Sequence, residues 1–120
     1  MIFNDLHWHD SIITSIYIDR SNPGIRDEIQ LKIKWANKKS DILTFKNVYW
    51  SSFSLNFGIV AEESILVAKI LEKDDIDLAN FYSNWNGLMD DLDLKVFFIE
   101  LNSTGSTIKI IAEDYMLANK

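Results

Sequence analysis

The sequence predicts an α+β domain: an antiparallel sheet of about six strands, with one or two helices inserted before a C-terminal hairpin. Three observations lead there. Residues 27–35 alternate strictly, with Ile29, Leu31, Ile33 and Trp35 on one face and Glu28, Gln30, Lys32 and Lys34 on the other. Residues 76–89 break that rhythm, since Leu78, Phe81, Tyr82, Trp85, Leu88 and Met89 recur at three- and four-residue spacing. Turn-forming residues punctuate the rest at short intervals, which suits a meander of antiparallel strands.

Taken in order, residues 11–19 are rich in β-branched and aromatic types and contain no breaker, so they predict a strand. Ser21-Asn22-Pro23-Gly24 follows as a turn, because proline fixes φ and glycine accepts positive φ. The alternating strand at 27–35 ends in a second turn, Asn37-Lys38-Lys39-Ser40. Residues 42–48 and 49–57 are two further strand candidates, with Leu43 and Phe45, then Phe53, Leu55 and Phe57, at period two. Residues 61–71 fit a short helix with Glu62 and Glu63 at its positive end, or a strand at 65–70. Residues 76–86 predict a helix that Asp74 or Asp75 caps and Asn86-Gly87 closes. Residues 94–101 and 107–113 return to strand, joined by the hairpin loop Asn102-Ser103-Thr104-Gly105-Ser106 with Gly105 left-handed. The last few residues are expected to fray.

The 120 residues suit one domain, residues 1–120, and 48% apolar content is enough for one core without staples. With no cysteine, disulfides and thiolate chemistry are excluded. The first ten residues show neither a basic region nor an apolar run of signal-peptide type, and no stretch approaches 18 apolar residues. A cytoplasmic protein with no membrane contact is the expectation.

Charge is unevenly placed. Between Glu62 and Asp93 lie nine carboxylates and two lysines, a charge of −7 in a chain whose total is −6. Such a field favours a basic protein partner and repels nucleic-acid phosphates. The opposite bias at 20–46 places Lys32 and Lys34 on the polar side of a strand, which suits a solvated face or edge protection.

No catalytic constellation is evident. The serines have no neighbouring base, and the carboxylates are too many on one solvated stretch to single out a catalytic pair. Ser103–Thr107 has small residues like an anion loop, but strands flank it where a phosphate loop needs a helix start and a lysine. The chain is therefore expected to be no enzyme and to need no cofactor. His7 and His9 lie two apart before Asp10, so on extended chain both imidazoles face one side, and with a third ligand they could hold a metal or small ligand. Exposed strand edges would instead allow a homo-oligomer. Of the four tryptophans, Trp35 and Trp85 are expected to pack in the core.

Three segments, Leu6-His7-Trp8-His9-Asp10-Ser11, Asn56-Phe57-Gly58 and Asn102-Ser103-Thr104-Gly105-Ser106-Thr107-Ile108-Lys109-Ile110, together resemble a group of small bacterial proteins. Those proteins open with a Leu-His-Asp-type segment and end in a Ser-Thr-x-Ser-Thr hairpin, and some are regarded as immunity proteins of polymorphic toxin systems. Here Trp8 and His9 interrupt the His-Asp element. The resemblance spans most of the chain and carries over no catalytic residue. It implies a stoichiometric inhibitor whose acidic face covers a basic toxin. On that reading Glu62, Glu63, Asp74, Asp75, Asp77, Asp90 and Asp91 steer the partner, and Tyr82 and Trp85 anchor it.

Overall fold

Six antiparallel strands close on themselves in the order β1-β2-β3-β6-β5-β4. They are β1 (Ile12–Asn22), β2 (Arg26–Lys34), β3 (Ser40–Ser54), β4 (Glu63–Ile70), β5 (Lys95–Leu101) and β6 (Thr107–Asn119). A single helix of nine residues, α1 (Ile76–Asn84), and a 3₁₀ turn at Phe3–Asp5 complete the fold. This computed structural model describes residues 2–119, with only the backbone of Asn119.

The protein is thus a mostly β closed barrel, and the expectation of an α+β domain with one or two helices is corrected. Two local features misled the pattern reading. First, residues 61–71 hold strand β4 and no helix. A register shift between Ile65 and Val67 lets Ile65 and Ala68, three apart, both face the core. A bulge therefore imitates helical spacing. Second, residues 42–57 hold one strand where two were expected. The register shifts between Val48 and Trp50, just after Asn47 at φ +53, and β3 keeps pairing with β6 from Asp41↔Asn119 to Ser54↔Thr107. Asparagine tolerates the left-handed region better than most residues, so the ladder bends without breaking.

Strand β2 lies where the alternation puts it, while β1 runs on through Ser21 and Asn22 of the expected turn and β6 runs past the expected 107–113 to Asn119. Ile29, Leu31 and Ile33 of β2 are buried, and β1–β2–β3 is the expected meander. Gly105 sits at φ +70 in the β5–β6 hairpin. The C-terminal residues do not fray as far as Asn119, because β6 pairs with β3 over its whole length; Lys120 lies outside the described residues.

Two apolar clusters hold the fold. The larger fills the barrel, with Leu31, Ile33, Leu43, Phe45, Phe97, Ile99 and Ile110 at its centre. The N-terminal segment plugs it: Phe3 packs on Phe97 and Tyr115, Trp8 packs on Phe3, and the Trp8 Nε1–H donates to the Phe3 carbonyl at 2.7 Å. The same segment shields β4, since the Ile70 N–H donates to Asn4 Oδ1 at 2.7 Å where no strand partner stands. The smaller cluster lies outside the barrel, where Leu78 and Phe81 of α1 cover Val96, Ile111 and Leu94. Val96 and Ile111 are direct cross-strand partners. Strands β5 and β6 are therefore buried on both faces there. Each such side chain contributes about 1.5–3 kcal/mol by leaving water.

Helix α1 is short because its signals are close together. Asp75 caps it by accepting from the N–H groups of Asp77 (3.0 Å) and Leu78 (3.2 Å). Asn86 and Gly87, both left-handed, end it as the sequence expects. Leu88 and Met89 fall beyond that end, so the apolar stripe stops at Phe81 and Tyr82; Leu88 is 79% exposed.

Candidate functional site

The carboxylates between Glu62 and Asp93 divide by what they touch. Asp75 and Asp77 grip the same cation. Lys109 Nζ, on the outer face of β6, donates to Asp75 Oδ1 at 2.7 Å and to Asp77 Oδ2 at 2.6 Å. Burial would lower the Lys109 pKa, but hydrogen bonds and charge from the two aspartates outweigh it and hold the amine above the ordinary lysine value. The triad pins the start of α1 to the sheet.

Glu63 has a structural bond too. Its Oε1 accepts from the Thr104 hydroxyl at 2.7 Å, Thr104 Oγ1 lies 2.8 Å from Ser106 Oγ, and Ser106 Oγ accepts the Asn56 N–H at 2.9 Å. The Asn56 amide nitrogen donates to the Thr104 carbonyl at 3.0 Å. Two of the three resemblance segments, Asn56-Phe57-Gly58 and the 102–110 hairpin, therefore meet in one network. The chain after that network carries bare apolar side chains, with Phe57 86% exposed and Val60 fully exposed. The spacing of Phe57 on a strand pattern hid this, because a residue continuing the period past a strand's end looks like core.

Tyr82 is committed as well. Its hydroxyl donates to the Leu92 carbonyl at 2.6 Å and receives the Leu94 N–H at 3.3 Å, tying the loop after α1 to the helix. Asp93 pairs with Lys73 at 2.7 Å; that hydrogen bond first, then the charges of Lys73 and Lys95, lower its carboxyl below the ordinary aspartate range.

What remains free is a smaller group around α1. Glu72, Asp74, Asp90 and Asp91 are exposed and make no ion pair among the described residues. Trp85, 44% exposed, and the exposed Leu88 follow the C-terminal end of α1 ahead of Asp90 and Asp91, while the exposed Ile76 stands at the other end of the helix, after Asp74 and Asp75. Trp85 was expected to pack in the core; it touches Phe81 only at a ring separation of 6.3 Å because the helix ends beside it. Glu62 is also exposed, but Glu62 and Glu63 stand at the opposite end of β4 from Glu72.

Among the described residues, no three His, Cys, Asp or Glu side chains converge on one point. Instead His7 and His9 line a cavity of about 510 Å³ together with Leu6, Trp35, Ala36, Asn37, Lys39, Asp41 and Leu117. Trp35, half-buried, packs on Trp8 with the ring centroids 5.0 Å apart and the planes tilted by 46°, and donates its Nε1–H to Asp41 Oδ2 at 2.6 Å. A second groove, of about 370 Å³, opens where β2 and β3 part after the Ile29↔Phe45 pair. Arg20 and Asp27 bond each other there at 2.9 Å, and burial followed by the Glu113 charge raises the Tyr49 phenol.

No helix is long and apolar enough to cross a membrane among the described residues. No protein-family model matches the chain, and no curated protein matches it.

Proposed function

We propose that this chain is a non-catalytic binding protein, a cytoplasmic immunity protein that neutralises a basic toxin by covering it with an acidic face. The observation that carries the reading is the pair of exposed apolar side chains past the end of α1, Trp85 and Leu88, close in sequence to the exposed Asp90 and Asp91, which make no ion pair among the described residues. Exposed aromatic and aliphatic side chains rimmed by one sign of charge fit a protein interface with an apolar anchor. The charge speeds encounter with a basic partner, and the anchors set the lifetime of the complex. Because Asp75, Asp77 and Tyr82 already serve the fold, the steering charge comes mainly from their exposed neighbours. The resemblance to immunity proteins supplies the kind of partner.

The test is capture from lysate at low and moderate salt, with the wild type and with a variant carrying Asp74→Lys, Asp90→Lys and Asp91→Lys. The captured protein is then assayed for its own activity while the wild type is titrated against it. Loss of capture in the variant and a one-to-one inhibition endpoint support the proposal. Equal capture by both proteins at low salt, or a partner whose activity is untouched, ends it.

A further inference from the structure

We propose that the cavity at the mouth of the barrel is a binding site for a small amphipathic carboxylate, a molecule with one apolar body and one anionic head. Barrel mouths are a recurrent place for ligand pockets, and about 510 Å³ lies within the usual size for one. Three chain segments build it: the stretch before β1, the turn between β2 and β3, and the end of β6.

The chemistry of the lining selects the ligand. Leu6, Trp35 and Leu117 supply apolar surface, and the Trp8 ring behind Trp35 fixes one wall. His7 and Lys39 supply hydrogen-bond donors. Lys39 makes no ion pair among the described residues, so its ammonium is available. The single carboxylate in the lining, Asp41, already accepts the Trp35 indole N–H at 2.6 Å. A chain of net charge −6 thus presents here a pocket whose polar lining includes the Lys39 ammonium and the His7 imidazole, with His9 Nδ1 held 3.3 Å from the Asp10 carboxylate. A carboxylate head can pair with Lys39 and accept from an imidazole while its tail lies on Trp35. An amine would meet Lys39 as a like charge.

This site is separate from the acidic group around α1, and the inference does not depend on the toxin reading.

The experiment titrates the whole protein with octanoate, octanol and octylammonium, by calorimetry and by ¹⁵N–¹H correlation spectra. The variants are Lys39→Glu, on an exposed turn, and Ala36→Trp, which fills the cavity. Octanoate is expected to bind saturably at about 1 mM or tighter, the strength a ligand of that size reaches. Lys39→Glu should weaken it about tenfold by reversing the paired charge, and Ala36→Trp should abolish it. Shifts should centre on residues 6–9, 35–41 and 117. Circular dichroism of both variants checks that they fold. The proposal is overturned if octanoate does not saturate, if octylammonium or octanol binds as well, if folded variants bind as the wild type does, or if the shifts map elsewhere on the barrel.

Discussion

Replacing Lys109 by methionine keeps the length of the side chain and removes its charge. The loss can be worked from the structure. Lys109 is held by two carboxylates at 2.7 and 2.6 Å, and its side chain is only 18% exposed. Removing one partner of a fully buried pair costs about 3–5 kcal/mol, whereas exposed pairs are worth about 0–1 kcal/mol. Asp75 is nearly buried but keeps its two backbone donors, and Asp77 is about one-third exposed, so solvent recovers part of its charge. The expected cost is therefore about 2–3 kcal/mol, or about 30- to 150-fold in the folded-to-unfolded ratio. For a chain of this length that is a fall of about 8–12 °C in Tm. Urea and thermal unfolding followed by circular dichroism read it directly. Lys73→Met is the milder comparison: its pair with Asp93 lies in solvent, and it also donates to the Leu94 carbonyl at 2.7 Å, so its loss should cost about 1 kcal/mol. Alkaline titration adds a second reading. The folded-state pKa of Lys109 is raised, so its contribution is complete below the ordinary value of 10.5 and is lost as pH rises through the higher folded value. The variant should lose less stability than the wild type over that range. A Lys109→Met protein as stable as the Lys73→Met variant would refute the claim that this triad pins the helix.

Three further outcomes follow from named contacts. Thr104→Val leaves the buried Ser106 hydroxyl and Glu63 without their shared partner and should cost about 1–3 kcal/mol in urea unfolding. Gly105→Ala forces a side chain to φ +70 with no steric neighbour closer than 3.9 Å, so backbone strain alone should lower stability by about 1 kcal/mol. Trp85→Ala, at the rim of the helix, should change stability by no more than about 0.5 kcal/mol while slowing or weakening partner capture. A large loss of stability there would make Trp85 a core residue after all.

Much of the secondary structure was legible because most strands bury one face. Residues 29, 31 and 33 announced β2 through strict alternation, and Asp75 with Asn86-Gly87 bounded α1 through cap chemistry. The closed architecture was not legible. Alternation says which face is buried but not which strand stands alongside, and the closure rests on pairs such as Ile12↔Ser64 that no local pattern encodes. Bulges did the other damage. At Ile65–Val67 and Val48–Trp50 an extra residue shifts the period, so the pattern of one strand fits helix and strand alike and that of another divides into two. The acidic stretch was visible as composition, yet its division was not. Lys109 lies more than thirty residues from the aspartates it neutralises, and Tyr82 hides its role in a hydroxyl that meets Leu92. The cavity that His7 and His9 line was not legible either, because it is completed by residues 35–41 and Leu117, which adjacency in sequence could not reveal.

The position of β6 also governs how the chain can be made. It is synthesised after the other five strands, yet it fills the slot between β3 and β5. Until residues 107–119 have left the ribosome, both of those neighbours carry an open ladder. The barrel therefore cannot close before β6 is available, and a nascent chain stalled before this point presents two unpaired edges together with the bare floor of the core. A truncation inside β6 would yield no smaller barrel, only a sticky precursor of one.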